Sequence, residues 1–165
     1  MFTNPSPDQL RTLLREVKSI AVVGLSPRPD RPSHRVARAL QGFGYRIVPV
    51  RPAVAEVLGE KAYARLADIP HPVDLVDVFR ASDEVAPLVD ECIALGVKRL
   101  WLQDGVIDEA AAEKAQAAGM TVVMDRCVLR DYVDLIPRSR LSPSPKCRGW
   151  ATILLCLMAS ASRLI

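Results

Sequence analysis

The stretch SIAVVGLSPRPDRPSHRVARAL, residues 19–40, decides the fold class of this protein. Residues 20–23 form a short apolar run rich in β-branched side chains, which is typical of a buried strand. The run ends at Gly24, a loop with three prolines follows, and helical spacing of apolar residues begins at Ser33. A strand, a glycine and a helix start in this order are typical of the phosphate loop of nucleotide-binding α/β proteins. The stretch therefore predicts an anion-binding loop.

Strand-like and helix-like segments alternate along the rest of the chain. The predicted strands are residues 20–23, 45–50, 73–79, 97–102 and 120–124. The predicted helices are residues 7–17, 33–43, 60–69, 82–96, 108–118 and 129–136. Apolar strands separated by helices indicate βαβ units and a parallel sheet covered on both faces. We predict an α/β fold with a Rossmann-like, doubly wound, five-stranded parallel sheet in a single domain, and ligands bound beyond the carboxyl ends of the strands.

Individual residues refine the boundaries of these elements. Ser6 and Ser82 are predicted helix N-caps, and Pro7 suits the first helical position. Pro49 cannot donate a ladder hydrogen bond, so the second strand is predicted to lie at an edge of the sheet or to end there. Cys92 lies on the apolar face of its predicted helix and is expected in the core.

The net charge of +3 is unevenly distributed. Residues 1–137 hold 17 basic and 19 acidic residues, whereas residues 138–165 hold five basic residues and no acidic one. The first region is therefore mildly acidic and lacks the electrostatic footprint of a nucleic-acid-binding protein. Aromatic residues, at 5% of the chain, are too few for a base-stacking platform.

The change of character at residue 138 predicts two regions, a ligand-binding domain at 1–137 and a tail at 138–165. The tail reads as a basic, Pro/Ser-rich linker followed by about eleven apolar or small residues, short of the ~20 that span a bilayer. It could dock on the domain, pair with another subunit, touch a membrane surface or have no function. The polar chain start and the absence of a CxxC pair among the four cysteines favour a reducing cytoplasm.

The loop after the first strand departs from the known glycine fingerprints. A G-x-G-x-x-G motif beginning at Gly24 needs glycine where Ser26 and Pro29 stand, and the chain has no P-loop Lys-Ser/Thr pair there. NAD-binding proteins place an acidic residue after the second strand, but this chain has Arg51. A cation suits a ligand with a phosphorylated ribose, such as NADP or coenzyme A (CoA). The alternative interpretation of Arg51 is a solvated loop charge.

A family resemblance lies in the segments at 21–52, 58–80, 96–120 and 122–127. They read AVVGLSPRPDRPSHRVARALQGFGYRIVPVRP, LGEKAYARLADIPHPVDLVDVFR, GVKRLWLQDGVIDEAAAEKAQAAGM and VVMDRC. With these segments the chain resembles the small bacterial CoA-binding proteins, a family similar to the nucleotide-binding domain of the succinyl-CoA synthetase α subunit. The resemblance runs from about residue 10 to residue 132. It departs from the family at VRP, residues 50–52, where VNP is common.

The resemblance implies a set of CoA contacts at the strand ends. In chain order they are Gly24, Leu25, Ser26, Pro27, Ser33, Val36, Val50, Arg51, Pro52, Val78, Phe79, Arg80, Gln103, Asp104 and Gly105. The first four would line the ADP part, the next two would help to hold phosphate, and residues 50–52 would meet the adenine and the ribose 3′-phosphate. Residues 78–80 match a stretch that touches the nucleotide or pantetheine, and residues 103–105 match the loop after the fourth strand.

Other residues leave alternatives open. Arg28 and Arg31 could reach phosphate oxygens. His34 is either a ligand contact or a solvated first-turn residue, and Trp101 either packs against pantetheine or fills the core. Cys127 follows the fifth strand on the ligand side, where it is either an inert thiol or forms a mixed disulfide with the CoA thiol.

We therefore predict a cytoplasmic protein that binds CoA or acyl-CoA without catalysis of its own. The sequence has neither a metal-ligand cluster nor a Ser–His–Asp order with a nucleophile elbow. The phosphorylated histidine of the larger synthetase belongs to a second domain that the resemblance does not include, so ligase activity is not expected. The alternatives are an NADP-linked oxidoreductase and an interaction protein with a degenerate nucleotide site. A second copy of the chain or an unknown protein remains open as a partner, whereas nucleic acid and a membrane span are not expected.

Overall fold

The computed structural model describes residues 1–137, so the predictions for the tail lie outside the described residues. The helices are α1 (Pro7–Glu16), α2 (Pro32–Gly42), α3 (Val85–Ala94), α4 (Glu109–Ala117) and α5 (Val128–Leu135). The strands are β1 (Ser19–Val23), β2 (Arg46–Val50), β3 (Glu56–Val57), β4 (Glu60–Lys61), β5 (Leu75–Val78), β6 (Arg99–Leu102) and β7 (Thr121–Val123). Within residues 1–137, every helix falls short of the length and apolarity needed to cross a membrane.

Five strands form one parallel sheet in the order β2-β1-β5-β6-β7. In its centre, Ile20 of β1 lies beside Ile47 of β2 on one side and beside Leu75 of β5 on the other. The chain thus winds outward from β1 in one direction and from β5 in the other. The doubly wound, five-stranded fold is confirmed, and the reversal between β1 and β5 is the point where such sheets open a ligand cleft.

The sheet separates two hydrophobic cores. On one face, strand residues such as Val76 and Leu100 pack beneath α3 and α4. Cys92 of α3 is fully buried there, as predicted, and burial raises the pKa of its thiol to about 12. On the other face, Leu75 and Trp101 pack against α1, α2 and α5. Trp101 is fully buried, so this side chain fills the core.

Three of the boundary predictions are confirmed. Ser6 caps α1 in a reciprocal capping box, because its Oγ accepts from Gln9 N and Gln9 Oε1 accepts from Ser6 N. Pro7 occupies the first turn, where its missing N–H costs nothing. β2, with Pro49, lies at an edge of the sheet.

The predicted helix at residues 60–69 is wrong. β3 and β4 form a hairpin instead, and its turn places Leu58 and Gly59 at φ of 57° and 74°, the left-handed pair that a two-residue hairpin needs. After the hairpin, Ala62 N donates to Ala55 O at 2.8 Å and Tyr63 N donates to Pro49 O at 2.9 Å. Pairing with the edge of β2 satisfies the backbone groups that a helix would have used.

Ser82 as a side-chain N-cap is also wrong. A 3₁₀ turn, Ser82–Glu84, precedes α3, which begins at Val85 without a side-chain cap. The Ser82 hydroxyl accepts from Ile107 N at 2.9 Å and donates to Gly105 O at 3.4 Å. The position of Ser82 at the start of the predicted helix suggested a cap, but a backbone segment 25 residues away in the chain is the actual partner.

The outer edge of β7 is held by Asn4. Its amide donates to Met124 O at 2.9 Å and accepts from Met124 N at 2.8 Å, so one side chain imitates a neighbouring strand. Asn4→Ala is expected to lower the free energy of unfolding by about 1–2 kcal/mol, because both bonds are lost. Urea denaturation measures this, with the exposed Thr3→Ala as a control expected to change stability by less than about 0.5 kcal/mol. Equal stability of the two variants would contradict the edge role of Asn4.

Candidate ligand-binding cleft

A cleft of about 990 Å³ opens at the carboxyl ends of the parallel strands, within the size range of small-molecule sites. The loops after β1 and β2 contribute the predicted residues Gly24, Ser26, Ser33, Val36, Arg51 and Pro52. The loops after β5 and β6 contribute the predicted residues Phe79, Arg80, Gln103 and Asp104. The structure therefore brings ten of the fifteen predicted residues together around one opening.

The other five predicted residues lie near the cleft but do not line it. Leu25, Val50 and Val78 are buried in the two cores. Pro27 is exposed on the loop, and Gly105 is exposed beyond Asp104. A strand that carries a ligand at its tip alternates between the faces of the sheet, so consecutive residues do not all reach the ligand side.

Seven further residues line the cleft: Arg28, Arg31, Pro32, Ala81, Glu84, Val106 and Cys127. Two of them, Arg28 and Arg31, carried a sequence signal, because cations in a loop before a helix suit phosphate. Cys127 carried another, because it follows the fifth strand of a parallel sheet. Pro32 belongs to the proline loop that the sequence had already singled out. The other three residues, Ala81, Glu84 and Val106, had no signal in the sequence, because only the packing of the segment before α3 and of the loop after β6 places them at the cleft.

The backbone conformation and the close packing at position 24 both require glycine. It follows β1 at φ +84°, in the left-handed region, and its N–H donates to Val50 O at 2.9 Å. A Cβ at this position would overlap the carbonyl oxygen of Phe79 and lie 3.1 Å from its carbonyl carbon. The glycine therefore allows the chain ends of β1 and β5 to pass each other at the switch point.

The loop between β1 and α2 is closed by hydrogen bonds of its own. Ser33 Oγ accepts from Ser26 N at 3.1 Å, and Ser26 Oγ accepts from Arg28 N at 3.2 Å. His34 Nδ1 lies 3.0 Å from Ser26 O, and the imidazole is 8% exposed. His34 is therefore buried and stabilises the loop through its contact with the backbone of Ser26. Ser26 and Ser33 line the cleft, whereas His34 does not.

The start of α2 faces the cleft without a side-chain cap. Arg31 occupies the N-cap position, and the first turn contains no acidic residue. Pro32 has no N–H, and His34 N donates to Arg31 O at 3.1 Å. Within residues 1–137, Ser33 N has no hydrogen-bond acceptor. The helix start therefore offers the positive end of its dipole and one free first-turn amide, fewer amides than the sequence suggested.

Arginine side chains make the β1–β2 end of the cleft cationic. Among the lining residues, Arg28 is paired with Asp30 at 3.0 Å, and Arg80 is paired with Glu84 at 3.2 Å. Arg31 and Arg51 have no ion-pair partner among residues 1–137. The backbone of Arg51 is fixed, because its N–H donates to Tyr63 O at 2.8 Å. Two guanidinium groups are therefore available to an anion at this end.

The β6–β7 end of the cleft has a different character. Asp104 is bound by both arms of Arg130, at 2.8 and 3.0 Å. Gln103 Nε2 donates at 2.7 Å to Oδ1 of Asp77, a fully buried carboxyl on β5. Burial raises the pKa of Asp77 to about 7, although the bond from Gln103 acts in the opposite direction. With Cys127 alongside, this end offers neutral polar groups and a thiol.

A second cavity, of about 650 Å³, lies at the opposite ends of the strands. It contains Arg99, but this guanidinium pairs with Glu16 at 2.6 Å, and Asp8 adds further negative charge. Its location at the amino ends of β6 and β7 is not where doubly wound sheets bind ligands. The cleft at the carboxyl ends is therefore the candidate site.

The fold and the switch-point cleft define a domain of the Rossmann-like class. The model of the CoA-binding domain family matches residues 18–132, and the chain belongs to this family.

The chain is also similar to individual proteins. The chain is 42% identical over 125 residues to the uncharacterized protein YneT of Bacillus subtilis, covering 76% of this chain and 93% of YneT. The solved structure of cell-free ID.343 from Thermus thermophilus is 40% identical with a TM-score of 0.75, covering 79% of this chain and 99% of that one. The alpha subunit of ADP-forming acetate–CoA ligase II of Pyrococcus furiosus is 30% identical over 122 residues, covering 67% of this chain. The match spans only 27% of that ligase subunit.

Proposed function

We propose that this protein binds coenzyme A or an acyl-CoA in the switch-point cleft and catalyses no reaction of its own. The observation that carries the proposal is the polarity of the cleft, which is cationic beside β1 and β2 and neutral beside β6 and β7. CoA has the same polarity, with its phosphates at the adenosine end and a neutral pantetheine arm that ends in a thiol. Membership of the CoA-binding domain family supports the same ligand.

The start of α2 is the expected seat of the CoA pyrophosphate. The dipole, the free amide of Ser33 and the hydroxyl groups of Ser26 and Ser33 all favour an anion at this point. Arg31 at the N-cap adds a guanidinium without a competing carboxylate among the described residues. An anionic group bound here would take the place of the missing side-chain cap.

Arg51 is the expected partner of the ribose 3′-phosphate. It lies after β2, at the cationic end of the cleft, on a backbone held by Tyr63. Arg51→Gln is expected to weaken CoA binding about tenfold or more, because a charge-assisted contact is lost. The same substitution is expected to leave the affinity for dephospho-CoA, which lacks the 3′-phosphate, almost unchanged. Isothermal titration calorimetry of both ligands measures the difference.

A matched control is Arg46→Gln, which removes the same charge at the opposite end of β2. Arg46 lies beside His71, with its guanidinium 2.9 Å from the imidazole, and outside the cleft. This variant is expected to bind both ligands as the native chain does. Equal affinity of the native protein for CoA and dephospho-CoA would contradict the proposed contact between Arg51 and the 3′-phosphate. Binding of NADPH, detected by its fluorescence, in place of CoA would favour the oxidoreductase alternative.

The pairing of acidic groups in the cleft supports a role in binding alone. Glu84 is paired with Arg80, and Asp104 with Arg130, so neither carboxylate is placed as a free general base. His34 is engaged with the backbone of Ser26. Native mass spectrometry of the freshly purified protein tests the ligand directly, because a retained mass would distinguish free CoA from an acyl-CoA.

A further inference from the structure

At the neutral end of the cleft, beside β6 and β7, the lining residue Gln103 contacts a carboxyl group that is buried in the middle of the sheet. Asp77 of β5 lies between Val22 of β1 and Trp101 of β6 and has no exposed surface. An apolar residue would fill this position at lower cost, since a buried ionisable group loses its hydration. Its oxygen Oδ2 has no hydrogen-bond partner among residues 1–137, and Oδ1 accepts from the side chain of Gln103. The carboxyl is therefore not explained by the stability of the fold.

Gln103 is held firmly at the tip of β6. Its N–H donates to Val78 O at 3.4 Å, and its carbonyl oxygen accepts from Val106 N at 2.9 Å. Its side-chain Nε2 donates to Asp77 Oδ1 at 2.7 Å. A carboxylate accepts hydrogen bonds but cannot donate them, so the Asp77 carboxylate requires the NH₂ group of the Gln103 amide to face inward. The other arm, Oε1, has no partner among the described residues, and Gln103 exposes 4% of its surface, at the cleft.

We propose that Asp77 is a positioning residue that orients the Gln103 amide, so that Gln103 Oε1 accepts a hydrogen bond from an N–H donor in the neutral part of the ligand. The inference rests on the proposed function, in which that part is the pantetheine arm with its secondary amides. Gln103 follows β6, three strands away from β2 and Arg51, a separation of about 14 Å at ~4.8 Å per strand. A single phosphate group cannot bridge that separation, whereas the extended arm of CoA can.

The test compares two ligands at pH 8 by calorimetry: CoA, and adenosine 3′,5′-bisphosphate, which lacks pantetheine. Gln103→Met and Asp77→Leu are each expected to weaken CoA binding about five- to tenfold, and to leave binding of the bisphosphate unchanged. Asp77→Asn is expected to stay within about twofold of the native protein, because its carbonyl oxygen still accepts from Gln103. The double variant Asp77→Leu/Gln103→Met is expected to be no weaker than Gln103→Met alone, because Asp77 acts through Gln103.

Gln116→Met serves as the matched control, because Gln116 is an exposed glutamine on α4 outside the cleft. It is expected to bind both ligands as the native chain does. Equal weakening of both ligands, additive losses in the double variant, or unchanged CoA binding by Gln103→Met would each overturn the positioning role. If Asp77→Leu fails to fold, Gln103→Met and Asp77→Asn still decide between these outcomes. A native protein that binds neither ligand would refute the proposed function itself, and the positioning role with it.

Discussion

Replacing Gly24 with alanine is expected to destabilise the domain by about 3 kcal/mol or more. Two costs add at this position. Alanine must adopt φ +84°, and its Cβ must overlap the carbonyl oxygen of Phe79, which is backbone and cannot swing away. Phe79 N also donates to Val23 O at 2.9 Å, so a shift of Phe79 disturbs the pairing of β1 with β5. Urea denaturation of the variant measures the loss.

Gly119→Ala separates the two costs. Gly119 has φ +86°, almost the same as Gly24, but a Cβ there would meet no atom within 4 Å. This variant is expected to lose only about 1–2 kcal/mol, which is the cost of the backbone conformation. Similar losses in the two variants would show that contact with Phe79 is unimportant. A surviving Gly24→Ala protein is also expected to bind CoA at least tenfold more weakly, because Phe79 and Arg80 line the cleft.

Asp77→Asn is expected to stabilise the protein above pH 7 and to change its stability little near pH 4. The pKa of Asp77 is raised by burial from 3.8 to about 7, so between these values the folded state binds more protons than the unfolded state. The contribution of Asp77 to stability is therefore lost as the pH rises from about 4 to 7. At 1.36 kcal/mol per pKa unit, the full cost is at most about 4 kcal/mol.

The stability difference between Asp77→Asn and the native protein, measured from pH 4 to pH 8, isolates this group from the other carboxylates. Asp74 supplies a control of opposite sign. Burial raises its pKa, but hydrogen bonds from Lys18 N, Ser19 N and the Ser19 hydroxyl outweigh burial, so the net shift is downward. Asp74→Asn is therefore expected to destabilise at neutral pH, and the loss should shrink as the pH falls. A pH-independent difference for Asp77→Asn would show that Asp77 does not titrate in this range.

Elements with a strong local signal could be predicted from the sequence. Helix α1 has a capping box and Pro7 in the first turn, and both act within a few residues of the chain. The strands of the sheet are short apolar runs because both faces of a parallel sheet are buried. The β3–β4 hairpin could not be predicted, because Leu58 adopts φ 57° only in a turn that is supported by pairing with the edge of β2. The role of Ser82 could not be predicted for the same kind of reason, since its hydrogen-bond partners belong to the loop after β6.

The location of the candidate site could be predicted, but its internal arrangement could not. The carboxyl ends of parallel strands meet at one edge, so Ser26, Arg51, Phe79 and Gln103 had to lie near one another. Which arginines are free depends on the neighbours that each side chain meets, as the pairing of Arg80 with Glu84 shows. The sequence contains the same residue type at these positions and does not distinguish them.

By itself, the amino-acid sequence determined the alternation of strands and helices, the doubly wound sheet and the end of the sheet where the candidate cleft opens. These features follow from periodicity and turn residues, which act over short distances along the chain. Only the tertiary structure decided three further features. Gly24 leaves room for the carbonyl group of Phe79 at the end of β5, His34 contacts the backbone of Ser26, and Asp77 accepts a hydrogen bond from Gln103. Asp77 and Gln103 are 26 residues apart, and they meet only because β5 and β6 are neighbours in the sheet.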